Sequence, residues 1–223
     1  MSSVILVVAA HADDEALGCG GTLAKHAAQG DSVYVVFLAD GVTSRSEVTP
    51  VEQKLRNAAA VHALDILGVK QSFMLGFPDN RMDSIPLLEI VQKLESVLEQ
   101  VKPHVVYTHH HGDLNIDHRI AHQAVMTACR PVPGTSVKEI YTFEVLSSTE
   151  WNTPGLTPFI PNVYVDISEY LDIKIQAISA YAMEMRDAPH SRSMVNIQQQ
   201  AGYRGYSMGL YSAEAFSLIR MIL

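Results

Sequence analysis

Cysteine is scarce in this chain: two residues, Cys19 and Cys129, among 223. Two thiols make no disulfide framework, so a reducing, cytoplasmic setting is expected. Basic clusters are missing as well. Lys and Arg number 16 against 24 Asp and Glu, the formal net charge is −8, and no basic stripe appears. That balance argues against nucleic acid or an anionic membrane as a partner. The opening MSSVILVVAAHADDE has no basic leader, and its apolar run of seven residues is too short for a signal peptide or a membrane span. Repeats, low-complexity tracts, long charge blocks and an interdomain linker are also lacking. What remains is an ordinary globular mixture, 48% hydrophobic and 18% charged, over a length that suits one α/β domain spanning residues 1–223.

Strand and helix alternate through the first 130 residues. Residues 4–10 form a continuous apolar, β-branched run of the kind buried on both faces of a parallel sheet. Helical spacing follows from about Ala16 to Gly30, with acids in its first turn. Residues 32–40 read as the next strand, 51–67 as a helix stopped at Gly68, and 72–76 as a short strand. A helix is expected over 84–101, with Ser84 as N-cap and a proline in its first turn. Residues 104–110 are strand and 117–130 helix, closed by Pro131. This alternation predicts a doubly wound, mostly parallel sheet with right-handed crossovers. The last third is less regular. Strands are expected at 139–145 and 162–167, a helix over 168–185 and a loop over 187–194.

Two polar clusters fall at predicted strand ends. HADDE (11–15) follows the first strand, and HHHGDLNIDH (109–118) follows the fourth. Ligands of open α/β sheets bind beyond the carboxyl ends of the strands, so the topology brings both clusters to one edge. Three adjacent acids repel one another unless a helix N-terminus, a cation or both offset their charge. Acids at a helix start can act as caps alone. A catalytic zinc, however, takes three ligands from His, Asp, Glu or Cys and keeps a position for water. His11 and Asp14 bracket a tight turn, and His118 opens the later helix, so these three are the candidate ligands. Asp13 then stands beside the metal, placed to take a proton from water. Neighbouring side chains on a strand point to opposite faces, so His109, His110 and His111 are read as strand-end groups behind the ligands.

AHADDEALGCGGTLAKHAAQGD with a strand after it, and later GDLNIDHR, resemble the PIG-L/LmbE family of zinc-dependent de-N-acetylases. The late stretches EMRDAPHSRS and RGYSMGLYSAEAFSLIR resemble its bacillithiol-type bacterial branch. The resemblance implies a Rossmann-like α/β fold, a Zn2+ cofactor and a small N-acetylated sugar as substrate, with self-association common among members. His/Asp/His also suits Fe2+. Carried over by position, His11, Asp14 and His118 are the ligands and Asp13 the base. Arg56, Asp79 and, in the late stretch, Arg192 are implied substrate-binding residues. Asp79 follows a proline and precedes an asparagine, which equally suits a turn. Three departures stand out. Ala12 replaces a usual proline, Ala59 falls where a glutamate often follows the arginine, and Asn115 occupies the place of a histidine credited with stabilising the oxyanion. His190 and then Asn115 are the candidates for that catalytic role. Tyr203, Tyr206 and Tyr211 either line the sugar pocket or pack.

Two other functions compete. A nucleotide-cofactor enzyme is suggested by GCGG in the first βα turn. Gly18 and Gly20 fit G-x-G-x-x-G, but the third glycine falls on Leu23, and neither Asp31 nor Asp40 is clearly the ribose-binding acid. These glycines are better read as letting the helix approach the sheet. A non-catalytic sugar- or metal-binding protein is the other, and Asp13 argues against it, since a binder needs no base.

Overall fold

The computed structural model describes residues 2–41 and 50–223. Its strands are β1 (Val4–Ala9), β2 (Ser32–Ala39), β3 (Gln71–Phe77), β4 (Val105–His109), β5 (Glu139–Phe143), β6 (Val163–Asp166) and β7 (Ala213–Met221). Its helices are α1 (Asp14–Ala28), α2 (Pro50–Ile66), α3 (Leu87–Val101), α4 (Ile116–Ala128), α5 (Leu171–Ala180) and α6 (Met194–Tyr206). They form one seven-stranded sheet of order β3-β2-β1-β4-β5-β7-β6. The first five strands pair in parallel, while β7 runs antiparallel between β5 and β6. Among the described residues no helix is long and apolar enough to cross a membrane.

The run VILVVA is apolar throughout because both faces of β1 are covered. Ile5, Val7 and Ala9 join the cluster under α1, α2, α5 and α6, while Leu6, Val8 and Ala10 join the cluster under α3 and α4. Strand order reverses between β1 and β4, which lie side by side with Val8 paired to Thr108. That switch point opens a crevice where both polar clusters emerge.

Helix α1 explains the glycines of the first turn. A Cβ on Gly18 would collide with the Phe143 ring, and one on Gly21 would press on Ile167. The helix is also broken at Cys19 (φ −146°, ψ 18°). A buried ion pair spans the break. Lys174 Nζ donates to Leu17 O at 2.8 Å and meets Glu214 Oε1 at 2.5 Å, while Glu214 accepts the N–H groups of Gly21 and Thr22 at 2.9 and 2.7 Å. The backbone groups orphaned by the break are therefore satisfied by side chains.

The expected helix over 84–101 starts later. Residues Met82–Ser84 form a 3-10 turn and Ile85, which precedes Pro86, is extended (φ −104°, ψ 132°). Pro86, not Ser84, takes the N-cap position of α3, because the residue before a proline is driven out of helical geometry. Over 168–185 only Leu171–Ala180 is helical. Helix α6 and strand β7 were not foreseen. Ser193 caps α6 by accepting from Asn196 N–H at 3.3 Å, in a segment whose glycines and polar residues blur its periodicity.

Gly18→Ala is expected to lose about 1–3 kcal/mol by overpacking, read as a lower urea midpoint at unchanged m-value. Adding Phe143→Leu should restore part of the loss, and strict additivity of the two changes would refute direct packing as the cause.

Candidate metal centre

The chain leaving β1 turns sharply through His11 and Ala12 into α1. Asp13 has φ 126°, a costly backbone for any residue with a Cβ. The turn is held from below. Asp13 N–H donates to Glu15 Oε2 at 3.0 Å, and Tyr181 Oη–H donates to Glu15 Oε1 at 2.7 Å. Leu17 N–H donates to Asp13 O at 2.9 Å, and His11 N–H to Asp14 Oδ2 at 2.8 Å. These bonds fix the directions in which three consecutive acids point.

Asp14 is fully buried among three imidazoles. Its Oδ2 lies 3.3 Å from His11 Nδ1 and 3.4 Å from both His118 Nε2 and His109 Nε2. His118 comes from the first turn of α4 and stacks on His109, with ring centroids 3.9 Å apart. His109 closes β4, and its Nε2 accepts Ala10 N–H at 2.8 Å. His11, Asp14 and His118 each offer a ligand atom, all within 4.8 Å of one another. Two of those groups present buried atoms without a hydrogen-bond partner, Asp14 Oδ1 and His118 Nε2. Unpaired polar atoms this deep are costly unless something is bound to them. A carboxylate and imidazole nitrogens are the donor types that zinc takes, so the residues fit a divalent cation.

Further carboxylates stand behind the candidate ligands. His118 Nδ1 lies 3.2 Å from Asp113 Oδ2, and this contact turns Nε2 toward Asp14. Asp113 also accepts from the Ser148 hydroxyl, from Thr149 Oγ1 at 2.5 Å and from Asn115 N–H at 2.9 Å. A carboxylate behind a ligand histidine is what metal sites use to fix its tautomer. On the other side, His11 Nε2 lies 3.1 Å from Asp79 Oδ1 and 3.2 Å from Asp117 Oδ2. Asp117 further accepts Asn80 N–H at 2.7 Å and Met82 N–H at 3.1 Å, tying the loop after β3 to α4. His11, Asp79 and Asp117 make a second donor group that shares His11 with the first.

A cavity of about 360 Å³ opens beside this cluster, with His11, Asp13, Asp79, Asn80, Asn115 and Arg192 at its polar end. Arg192 Nη1 contacts Asp13 Oδ2 at 2.6 Å, and its Nε–H donates to Ser147 Oγ at 2.7 Å. Arg56 also lines the cavity, where it donates to Gly41 O at 2.8 Å and pairs closely with Glu184. Asn115 lines it too, but its amide is largely occupied. Its Oδ1 accepts Asp117 N–H at 2.8 Å as the N-cap of α4, and its Nδ2 donates to Asn80 Oδ1 at 3.0 Å. His190 is not among the lining residues. Its Nδ1 accepts Arg192 N–H at 3.0 Å and its ring packs edge-on against Trp151. Tyr203, Tyr206 and Tyr211 do not line the cavity and are 67%, 72% and 81% exposed, with the Arg204 guanidinium 5.6 Å from the Tyr203 ring centroid.

Sequence reasoning missed Glu15, Asp113, Asp117 and the Ser148–Thr149 pair. Asp113 had a signal, an acid five residues before a candidate ligand. Ser148 and Thr149 had none, since only the packing of the segment after β5 brings them to Asp113.

The titrations follow from burial and crowding. Burial pushes the Asp13 carboxyl up to about 7, against the pull of Arg192. Burial likewise pushes Glu15 up to about 8, against its hydrogen bond from Tyr181. Burial opposes charge on His118 too, but Asp14 and Asp113 raise it to about 9. Burial works against the Asp14 carboxylate as well, yet His118 and His109 hold it well below the usual range. The Asp113 carboxylate, buried but bonded by His118, Ser148 and Thr149, is lowered to about 2.

The fold and this cluster define an α/β protein with a candidate histidine–aspartate cation site at the switch point of its sheet. The chain belongs to the PIG-L family: the family profile described as GlcNAc-PI de-N-acetylase matches residues 6–129. It is 31% identical over 183 residues to the deacetylase YaiS of Escherichia coli K12, described as uncharacterized, covering 79% of this chain and 89% of that one. It is also 31% identical over 196 residues to 4-oxalmesaconate hydratase of Pseudomonas putida KT2440, covering 79% and 72%. Among solved structures, the conserved protein TT1542 of Thermus thermophilus superposes with a TM-score of 0.79 at 28% identity, covering 99% of this chain and 96% of that one.

Two outcomes are expected. Asp13, Glu15 and His118 hold protons in the metal-free fold that the unfolded chain releases at lower pH. Above about pH 7, where His109, His110 and His122, held low by burial, are neutral in both states, the native state binds more protons, so the stability of metal-free protein falls as pH rises from about 7 to 9. A divalent cation should reverse this, giving a larger rise in Tm at pH 8 than at pH 6, and equal rises would contradict the assignment. Asp113→Asn should weaken metal binding by about 10- to 100-fold, measured by chelator competition.

Proposed function

We propose that this protein hydrolyses the acetamide of an N-acetylglucosamine-type sugar, with a divalent cation held by His11, Asp14 and His118. The observation that carries this reading is the convergence on His11 of buried Asp14 Oδ1 and His118 Nε2, neither with a hydrogen-bond partner, with Asp13 at the cavity wall beside them. Zinc is the metal of this proposal, and iron(II) suits the same donors. Such a cation supplies Lewis acidity at the amide carbonyl and lowers the pKa of water to about 7.

The chain's own residues supply the rest. Asp13 accepts a proton from the attacking water, whose oxygen bonds to the amide carbon. The carbon–nitrogen bond then breaks, and Asp13 passes that proton to the leaving nitrogen, giving acetate and a free amine. Arg192, whose Nη1 contacts Asp13 Oδ2 at 2.6 Å, orients that carboxylate and in this reading supplies the guanidinium that stabilises negative charge developing on the carbonyl oxygen. Asn115, the N-cap of α4, is the second group for that oxygen, through the Nδ2 proton not used in its bond to Asn80. His190 acts through the Arg192 backbone instead of touching substrate. Asp79 and Asn80 face the sugar hydroxyls, and Arg56 with Glu184 closes the far side. The bacillithiol-type branch remains part of the proposal only as a likeness of the late motifs.

A second reading has one observation behind it, the similarity to a hydratase of the same family. It requires water addition to an unsaturated acid without acetate release.

Asp13→Asn should keep its metal and lose about 10²- to 10⁴-fold in kcat for acetate release from N-acetylglucosamine derivatives, whereas His118→Ala should lose the metal as well. Full turnover by Asp13→Asn would remove the base from the scheme.

A further inference from the structure

The candidate metal centre does not account for the whole of the run HHH. Of its three residues only His109 faces Asp14. Strand β4 ends at His109, and the chain turns at once, with Asp113 N–H 3.4 Å from His110 O. That turn frees His110 and His111 from the alternation of a strand, and their ring centroids lie 4.4 Å apart. His122, from the middle of α4, brings its ring to 5.3 Å from His111. None of the three lines the cavity. For scale, His11 and His118 of the candidate centre stand 5.4 Å apart. Imidazoles sharing one tetrahedral cation have centroids roughly 5 Å apart, given metal–nitrogen bonds of about 2 Å.

Backbone carbonyls place the protons on two of these rings. His110 Nε2 lies 2.8 Å from Thr157 O, and His122 Nδ1 lies 2.9 Å from His109 O. A carbonyl only accepts, so those nitrogens carry the hydrogens and the lone pairs fall on His110 Nδ1 and His122 Nε2. Metal sites fix the tautomer of a ligand histidine in this way. The setting of His110 is specific. Gly112 leaves room for the Thr157 carbonyl, which would lie 1.9 Å from a Cβ there, and Phe159 packs edge-on against the His110 ring at 5.4 Å. Yet Nδ1 of His110, a residue only 2% exposed, is buried with no hydrogen-bond partner. A bare nitrogen this deep is costly unless something binds it. Burial, aided by the neighbouring imidazoles and opposed by the carbonyls, holds His110 and His122 below the usual histidine range. Both are therefore uncharged donors at neutral pH.

We propose that His110, His111 and His122 form a second metal site, separate from the one at Asp14, which takes a divalent transition cation such as Ni2+, Cu2+ or Zn2+. Imidazole suits all three ions. His110 and His122 supply nitrogens whose tautomers are already set. His111 is exposed and is the ligand that turns to complete the set, with water in the remaining position. An ion there fastens the turn after β4 to α4 and, through Thr157, to the connection that precedes β6.

The test is metal binding by the full chain, so acetate release does not enter it. Protein stripped with chelator and titrated with Ni2+ in a calorimeter should bind two equivalents. His111→Ala, a change at an exposed position, should lower this to one. His118→Ala removes a ligand of the candidate centre and should also leave one equivalent. With Cu2+ in place of Ni2+, that remaining ion should give an electron paramagnetic resonance spectrum split by imidazole nitrogens. Adding either His111→Ala or His122→Gln to His118→Ala should weaken it by more than ~10-fold, the least that losing even an outer partner of a metal ligand costs. The glutamine keeps a group that can donate to His109 O. A single equivalent in the unaltered chain, or Ni2+ held as tightly by His118→Ala with His111→Ala as without it, would overturn this site. Either result leaves the deacetylase reading untouched.

Discussion

The Asp14 carboxylate sits in a fully buried position facing three imidazoles, and the arrangement around it depends on that placement. An ionised carboxylate cannot lie so deep without partners. His11 reaches it from its own turn, His109 from the end of β4 and His118 from the start of α4. Two strands that are neighbours in the sheet and about 100 residues apart in sequence therefore meet at one charge. The strained backbone at Asp13, the Glu15–Tyr181 bond beneath it and the break in α1 all keep the first turn of that helix where Asp14 must be.

Behind the cluster the polar groups form layers. Asp113 gathers His118, Ser148 and Thr149, and Asp117 gathers His11, Asn80 and Met82. Each carboxylate ties together segments that leave different strands, so orienting the site and closing the upper edge of the sheet are one task. Glu214 and Lys174 do the same lower down, where they carry the broken helix across to β7 and α5. Buried acids here are structural joints as much as chemical groups.

Family membership and chemistry are separable in this fold. The PIG-L profile and a deacetylase relative stand beside a hydratase relative at the same identity, so the scaffold alone does not choose a reaction. What borders the cavity is particular to this chain: Asp13 beside the candidate cation site, Arg56 and Arg192 paired with Glu184 and Asp13, and a far wall with Leu55, Met74 and Met183.

The sequence by itself determined the parallel half of the sheet, because fully apolar strands alternating with amphipathic helices admit few other packings. It also marked His11, Asp13, Asp14 and His118 as candidates, because two polar clusters fall at predicted strand ends that the topology brings to one edge. It did not determine where α3 begins, since Ser84 looks like a cap until Pro86 forces the residue before it to be extended. Nor did it show α6 and β7, whose mixed composition blurs the period and whose place between β5 and β6 is set by long-range pairing. His190 and Arg192 are two residues apart, and only packing decided that Arg192 faces the cavity while His190 turns to its backbone. Ser148 and Thr149 became partners of Asp113 for the same reason. A side chain's direction across a loop is fixed by contacts with distant residues, and local residue order does not contain it.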